Sequence, residues 1–335
     1  MKISVIGGGS WGMALANVLS DNQHDILVYD INADVVNTIN DKHLCLQLNA
    51  PIAKSITATS KMQKAIDHAD VLLFVVPTKV LRNALNEAVP HINSPKTFIN
   101  AAKGIEPSTF KRISEIIEAM VPQPYLKDVI TISGPSHAEE VIKRMATAIT
   151  AASENEEAAC LAQNLFHNPL YFRVYSSTDL KGVELGGSLK NIFALAAGII
   201  RGQGLGDNAL AAFMSRALVE MAKIYHHFGA DTETLYGLSG IGDLIVTCTS
   251  PHSRNFQAGY KIGKGKNLNE TLDSMTMVVE GIRTTEAAYG LAHENAIDTP
   301  IITAIYDVVF NRIAPKDVVA RLLSRDIKAE NPPKK

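Results

Sequence analysis

Cysteine is scarce: Cys45, Cys160 and Cys248 are an odd number with no metal-ligand spacing. That excludes a disulfide scaffold and a cysteine-held metal, and it reads as reduced thiols in a cytoplasmic protein. An excess of either charge is also missing. With 32 basic and 34 acidic side chains the formal charge of −2 advertises neither a nucleic acid nor a membrane surface, so any anion must be held by local groups. The longest apolar run, 192–200, is far below the roughly 18 residues of a bilayer span, and no membrane insertion is expected. The chain enters a strand-like pattern at Met1-Lys2-Ile3-Ser4-Val5-Ile6, without a basic n-region, apolar h-region or cleavage site. A soluble protein rather than a secreted precursor is expected. Glycine and proline, at 22 and 14 residues, fall well short of a low-complexity composition.

What is present is enough chain for two ordinary domains: 335 residues, 46% apolar and 20% charged. Short Val/Ile-rich runs at 3–6, 26–29, 71–76, 97–100, 129–132 and 146–151 alternate with helical patterns, the signature of β-α-β units. Val71-Leu72-Leu73-Phe74-Val75-Val76 is apolar at every position. A strand covered on both faces reads that way, which places it in the middle of a parallel sheet. A last strand at 172–175 precedes Ser176-Ser177-Thr178-Asp179, a run of N-cap residues. Beyond it, apolar-periodic segments at 180–201, 207–228, 281–295, 301–311 and 315–323 predict helices. The expected fold class is α/β. A Rossmann-type, doubly wound parallel sheet occupies residues 1–178, an all-helical domain 179–327, and a flexible tail 328–335.

Gly7-Gly8-Gly9-Ser10-Trp11-Gly12 fits G-x-G-x-x-G, directly after the first strand and before the apolar-periodic segment 13–19. Gly7 permits the tight turn, Gly9 lets backbone approach a pyrophosphate, and Gly12 lets helix and strand pack closely. The helix N-terminus adds free N–H groups and positive dipole. Asp30 ends the second strand, 23 positions beyond Gly7. An acidic side chain there accepts hydrogen bonds from the adenosine ribose hydroxyls, which favours NAD; a solvated strand-end aspartate is the plain alternative.

Three distant segments carry what a carbonyl-reducing site needs. Ala101-Ala102-Lys103-Gly104 follows the strand at 97–100, where the carboxyl end of a parallel strand faces the ligand crevice, so Lys103 can reach it. Ser133-Gly134-Pro135-Ser136-His137-Ala138 follows another strand and can bring backbone and hydroxyl groups to a substrate. His137 offers a general acid, but a lone histidine near a helix start reads more readily as a cap or surface group. In Glu184-Leu185-Gly186-Gly187-Ser188-Leu189-Lys190-Asn191, two mid-helix glycines each cost roughly 1 kcal/mol against alanine and call for clearance. Residues 183, 186, 187, 190, 194 and 197 share a face on which Lys190 is the sole charge, leaving room for a flat ligand or a close helix. Buried beside other cations, its pKa falls towards neutrality, which suits a proton shuttle. Further on, Ser239-Gly240-Ile241-Gly242-Asp243 offers a carboxylate and Ser253-Arg254-Asn255 the makings of a phosphate clamp.

Taken with Ala102-Lys103-Gly104-Ile105-Glu106, these blocks in their order and spacing closely resemble bacterial NAD(P)-dependent glycerol-3-phosphate dehydrogenase, up to about residue 325. The resemblance implies reversible hydride transfer between NADH or NADPH and dihydroxyacetone phosphate. The product, sn-glycerol 3-phosphate, would serve phospholipid synthesis. Lys190 would accept the proton in oxidation and donate it in reduction, with Asp243 orienting it or holding the substrate hydroxyl end, and Asn191 and Thr247 in support. Lys103, Gly134 and Ser136 would contact the substrate, Lys103 also the cofactor. Ser253, Arg254 and Asn255 would take the phosphate. Cofactor contacts would fall on Gly7, Gly9, Ser10, Trp11, Gly12, Asp30, Ala138, Arg254, Val278 and Glu280. The partner is a small phosphorylated molecule; no nucleic acid and no metal are implied. Helical carboxyl domains of this kind commonly carry a homodimer contact, and no patch in the sequence identifies one.

One departure concerns the cofactor. Family members that favour NADPH often have a basic or histidine residue just after the second strand, whereas this chain has Tyr29-Asp30-Ile31-Asn32. Within enzymes the alternative is a β-hydroxyacid dehydrogenase, whose carboxylate substrate would not call for the Ser253-Arg254-Asn255 clamp. A sensor that binds NAD(H) without turnover would leave the lysine on its glycine-lined face unexplained.

Overall fold

The computed structural model describes residues 1–275, 278–327 and 329–330. Among the described residues ten strands form: β1 (Lys2–Ile6), β2 (Asp25–Tyr29), β3 (Leu44–Cys45), β4 (Ala50–Pro51), β5 (Thr57–Thr59), β6 (Val71–Phe74), β7 (Lys96–Asn100), β8 (Leu126–Ser133), β9 (Thr147–Ala152) and β10 (Phe172–Ser177). Eight make one sheet in the order β10-β9-β8-β7-β6-β1-β2-β5, while β3 and β4 pair as a separate antiparallel hairpin. From β5 to β8 every pairing is parallel. The chain leaves β1 towards β2 and β5, then returns to add β6, β7 and β8 on the other side. That reversal of direction opens a crevice outside the carboxyl ends of β1 and β6. β6 lies between β1 and β7 with all four residues buried, as its unbroken apolar run demands.

Two features depart from the sequence reading. β5, Thr57-Ala58-Thr59, is a short edge strand with too little apolar pattern to be seen. More consequentially, β9 runs antiparallel to β8, with Ile132 opposite Ala151. Residues 134–146 carry only the one-turn helix Ala138–Val141. Without a crossover helix the chain doubles back. β10 then lies parallel to β9, after the crossover helix Glu156–Phe166.

The turn out of β10 is capped as its composition suggests: Asp179 Oδ1 accepts the Gly182 N–H at 3.0 Å, opening the helix Leu180–Gly202. This helix is long and apolar enough to cross a bilayer, yet 94% of its most apolar stretch is buried within the protein. It starts against Ala152 and passes Thr131, whose hydroxyl lies 3.4 Å from Glu184. It then passes Ser133 at Gly187 and so carries Lys190 to the carboxyl edge of β8. Its first turns are tied down by the buried Glu184 carboxylate, which receives Arg112 Nη1 at 2.8 Å and Ser114 N at 2.8 Å. Around it pack Asp207–Phe228, Asp243–Thr249, Arg254–Gly263 and Glu280–Glu294, followed by Pro300–Val309 and Pro315–Leu323. The five long helices match the sequence periods closely. The short ones between 232 and 273 escape them, because turns of four to ten residues give a periodic pattern too few repeats. Of the tail 328–335, all but Ala329 and Glu330 lies outside the described residues.

The closest helix contact is backbone against backbone. A Cβ at Gly198 would lie 2.0 Å from Phe256 O, and one at Gly259 would lie 1.8 Å from Leu195 O. Gly202 and Gly263, one turn on, repeat the arrangement. These four glycines let Arg254–Gly263 lie directly on the long helix. The mid-helix pair is spent the same way: Gly186 faces Ser239 O and Gly187 faces Ser133. The small-residue face is therefore filled by protein, and a ligand meets this helix only around Lys190 and Asn191.

Replacing Gly259 by alanine gains about 1 kcal/mol of helix propensity but overpacks the contact by about 1–3 kcal/mol or more. With a carbonyl oxygen in the way, Gly259→Ala is expected to lower unfolding stability by about 2 kcal/mol in urea titration. A variant as stable as the parent would show that the helices are not in backbone contact.

Candidate active site

The crevice, of about 300 Å³, is lined by the segments that follow β1, β6, β7 and β8 on one side and by the helical part on the other. On the sheet side the glycine turn divides its labour. A Cβ at Gly12 would sit 1.9 Å from Gly7 O, and Gly7, at φ +116°, faces Val75 O, so the fold itself needs both. A Cβ at Gly9 would meet no protein atom within 4 Å. That position is open towards the crevice. Gly9 supplies no side-chain cap to the helix Ser10–Asp21, and the first amide to find an intrahelical acceptor is that of Met13, on Gly9 O at 2.9 Å. An uncapped helix start over a bare glycine fits a dinucleotide pyrophosphate. Asp30 closes the turn from below: Oδ2 accepts Gly8 N and Oδ1 accepts Asn32 N, each at 2.8 Å.

On the far wall two ammonium groups share one carboxylate. Lys190 Nζ donates to Asp243 Oδ1 at 2.8 Å and to Thr247 Oγ1 at 2.7 Å, and Lys103 Nζ donates to Asp243 Oδ2 at 2.6 Å and to Gly134 O at 3.0 Å. Asp243 and Thr247 lie one turn apart on the helix Asp243–Thr249, and the Thr247 hydroxyl donates back to Asp243 O at 2.6 Å. Gly240, whose backbone leaves helical geometry against Leu235 O, sets the angle at which that helix begins. Burial opposes charge on Asp243, which is 1% exposed, but the two lysines outweigh it and hold its carboxyl below the usual range. Lys190, 8% exposed, is lowered to about 8: burial is the largest cause, the Lys103 charge adds to it, and Asp243 resists.

A second chain of contacts ties three helices together. Asn255 Nδ2 donates to Asn191 Oδ1 at 2.9 Å, and Asn255 Oδ1 accepts Gly281 N at 2.9 Å. The neighbour of Lys190 is thus tied both to the start of Arg254–Gly263 and, through Asn255, to the helix bearing Glu280. Ser253 caps the first of these by accepting Phe256 N at 3.2 Å. Between them Arg254 lines the crevice, and among the described residues its guanidinium has neither an ion-pair nor a hydrogen-bond partner. Glu280 Oε1 accepts Thr78 N at 3.2 Å, which joins the loop after β6 to the helical part.

Of the residues singled out from sequence, Gly9, Ser10, Trp11, Lys103, Ser136, Ala138, Lys190, Asn191, Thr247, Ser253, Arg254, Asn255, Val278 and Glu280 line this crevice together. Gly7, Gly12, Gly134, Asp30 and Asp243 stand behind its wall. Gly134 offers its carbonyl to Lys103 and to the Ser136 hydroxyl, and Asp243 is covered by the two lysines. Sequence reasoning passed over Val75, Val76 and Pro77, which follow the central strand at the crevice mouth, and Glu139 and His252. The break from apolar run to proline at Pro77 was the available signal. His137 stands at the N-cap position of the helix Ala138–Val141, but its side chain makes no cap bond and lines the crevice half-buried.

Comparison with known proteins agrees over nearly the whole chain. Family models described as NAD-dependent glycerol-3-phosphate dehydrogenase N-terminus and C-terminus match residues 2–159 and 179–320. A glycerol-3-phosphate dehydrogenase (NAD(P)+) of Bacillus thuringiensis strain Al Hakam is 50% identical over 331 residues, covering 98% of this chain and 97% of its own. Among solved structures, glycerol-3-phosphate dehydrogenase from Coxiella burnetii superposes with a TM-score of 0.91 at 32% identity, over 97% of this chain and 99% of that one. The Plasmodium falciparum enzyme, at 23% identity and a TM-score of 0.87 over 98% and 97%, shares the fold. With a two-part family match spanning the sheet and the helices, and half of its residues identical to a full-length relative, this chain belongs to the NAD-dependent glycerol-3-phosphate dehydrogenase family.

Proposed function

We propose that this chain catalyses the reversible NAD(P)H-dependent reduction of dihydroxyacetone phosphate to sn-glycerol 3-phosphate, in the cytoplasm, as a supply for phospholipid synthesis. The observation that carries the reading is Lys190, a buried amine with a pKa of about 8, held by Asp243 and Thr247 at the wall of the cleft that also bears the glycine loop and Arg254, unpaired among the described residues. When bound over the glycine loop, the nicotinamide cofactor supplies or receives the hydride. The Lys190 ammonium donates the proton to the carbonyl oxygen in reduction, and its neutral amine takes it back in oxidation. Asp243 aims that amine. Lys103, on the same carboxylate, places a second positive charge where oxygen charge develops. Arg254 presents a forked donor to the phosphate, while Ser253 and Asn255, occupied as cap and tie, hold it in position.

The direct test is loss of NADH absorbance on adding dihydroxyacetone phosphate, with 3-hydroxy acids tried in the oxidation direction. Turnover confined to the acids would overturn the substrate assignment. In this assay Lys190→Ala is expected to lower kcat by about 10²–10⁴ with NADH binding retained.

The pH dependence follows from the sign of the lysine equilibrium. Lys190 is charged below about 8, so kcat/KM for reduction is expected to be level on the acid side and to fall above about 8, and that for oxidation to rise through the same region. Flat profiles in both directions would remove Lys190 as the proton carrier.

Cofactor choice turns on Asp30. Its carboxylate holds two backbone amides and has no cation among its hydrogen-bond donors, so a 2′-phosphate beside it suffers like-charge repulsion. NADH is expected to serve at least as well as NADPH, measured as kcat/KM for each. About a tenfold preference for NADPH would contradict this.

A further inference from the structure

His137 stands on the loop beyond β8, at the crevice wall with Lys190, Thr247, His252 and Arg254. Its ring is edge-on to that of His252, with centroids 6.0 Å apart. Its Nε2 is buried and has no hydrogen-bond partner. Among the described residues nine buried side-chain atoms lack partners, and His137 Nε2 is the one that belongs to the crevice wall. A buried polar atom is ordinarily paired, so an orphan at a ligand cleft marks a bond that the ligand completes. Burial, and then the Lys190 charge, lower its pKa from the ordinary histidine value, so at neutral pH the ring is uncharged and bears a single proton. Of the charged groups that act on the ring, Lys190 is a donor only, and the carboxylates Glu139, Glu140 and Asp243 accept no bond from Nε2. A proton on Nε2 is therefore left without an acceptor; an anionic oxygen drawn into the cleft by Lys190 and Arg254 would be one.

We propose that His137 is a further substrate-contacting residue, its Nε2–H donating to a phosphate oxygen of the phosphorylated ketone. This rests on the reaction proposed above. The imidazole adds a directional contact to the charge of Arg254 and helps the cleft to distinguish a phosphorylated three-carbon ketone from the free ketone. Because the ring is neutral, it does so without adding to the charge that already crowds Lys103 and Lys190.

The test compares wild type, His137→Phe and His137→Gln with three readouts: KM for dihydroxyacetone phosphate, KM for NADH, and turnover of unphosphorylated dihydroxyacetone. His137→Phe keeps the volume and removes the donor. It is expected to raise KM for the phosphorylated ketone by about tenfold and to leave KM for NADH and turnover of the free ketone within about twofold, while the glutamine amide recovers most of the loss. An unchanged KM in His137→Phe, a parallel loss on both ketones, or a rise confined to NADH each overturns the proposal. Wild-type turnover of dihydroxyacetone phosphate separately checks the underlying reaction, since its absence would defeat that reaction whatever His137 does. Should the phenylalanine variant fail to fold, the imidazole NMR spectrum of the wild type decides. Adding sn-glycerol 3-phosphate is expected to bring out a protected Nε2–H resonance that is missing in His137→Gln, and no such resonance means no such bond.

Discussion

A single carboxylate keeps two like charges side by side out of water. At an effective dielectric of about 20, two unit charges 4 Å apart interact by about 4 kcal/mol, enough to expel one of two neighbouring ammonium protons or to drive the side chains apart. Asp243 prevents both by giving one oxygen to each lysine. Burial pushes its own carboxyl towards the neutral form, and the two lysines together outweigh that push. Each member is thus tolerable only because the others are present, which is why an acid, two bases and a threonine hydroxyl from three separate chain segments converge here. The balance lowers Lys190 to about 8 without discharging it at neutral pH, the state that the proton transfer proposed above requires.

Everything around this group serves to hold it still. The long helix is anchored at Glu184 by Arg112 and Ser114, pressed at Gly187 against Ser133, and clasped from the far side by a glycine-to-backbone contact. The Asn191–Asn255–Gly281 chain then transmits the position of the lysine to the segments that carry Arg254 and Glu280. Backbone contacts and amide pairs have little freedom to repack, so Lys190, Asn191 and Asp243 stand on rigid helices, while Lys103 and Ser136 come from the loops after β7 and β8.

Much of this was legible beforehand, for physical reasons that also explain the exceptions. The strand Val71–Phe74 announces itself because burial on both faces forbids polar residues, and the helix at 180 because Asp179 must cap it. Lys190 was visible through its odd setting among glycines, although those glycines turned out to accommodate neighbouring protein. Lys103 and Arg254 could be placed only by motif, since a lone cation in a loop or at the first residue of a short helix has no local signature. The reversal at β9 was hidden because pairing direction depends on how a short connection closes in space. Asp243 as a bridge, Asn255 as a tie and His137 as a crevice residue were equally hidden: each role is defined by partners 26 to 140 positions away, from Asn255 with Gly281 to Asp243 with Lys103.

The four-glycine contact between Leu180–Gly202 and Arg254–Gly263 has an implication for selectivity. Main chain resting on main chain fixes the spacing between the helix that carries the Lys190 amine and the helix that begins at Arg254, both of which line the cleft. A phosphorylated ketone with one carbon more or fewer would meet that fixed spacing, because at the four glycines backbone faces backbone and no side chain intervenes to re-space the helices. Chain length in the substrate would be read by the thickness of two polypeptide backbones, a quantity that point substitutions elsewhere in the cleft leave untouched.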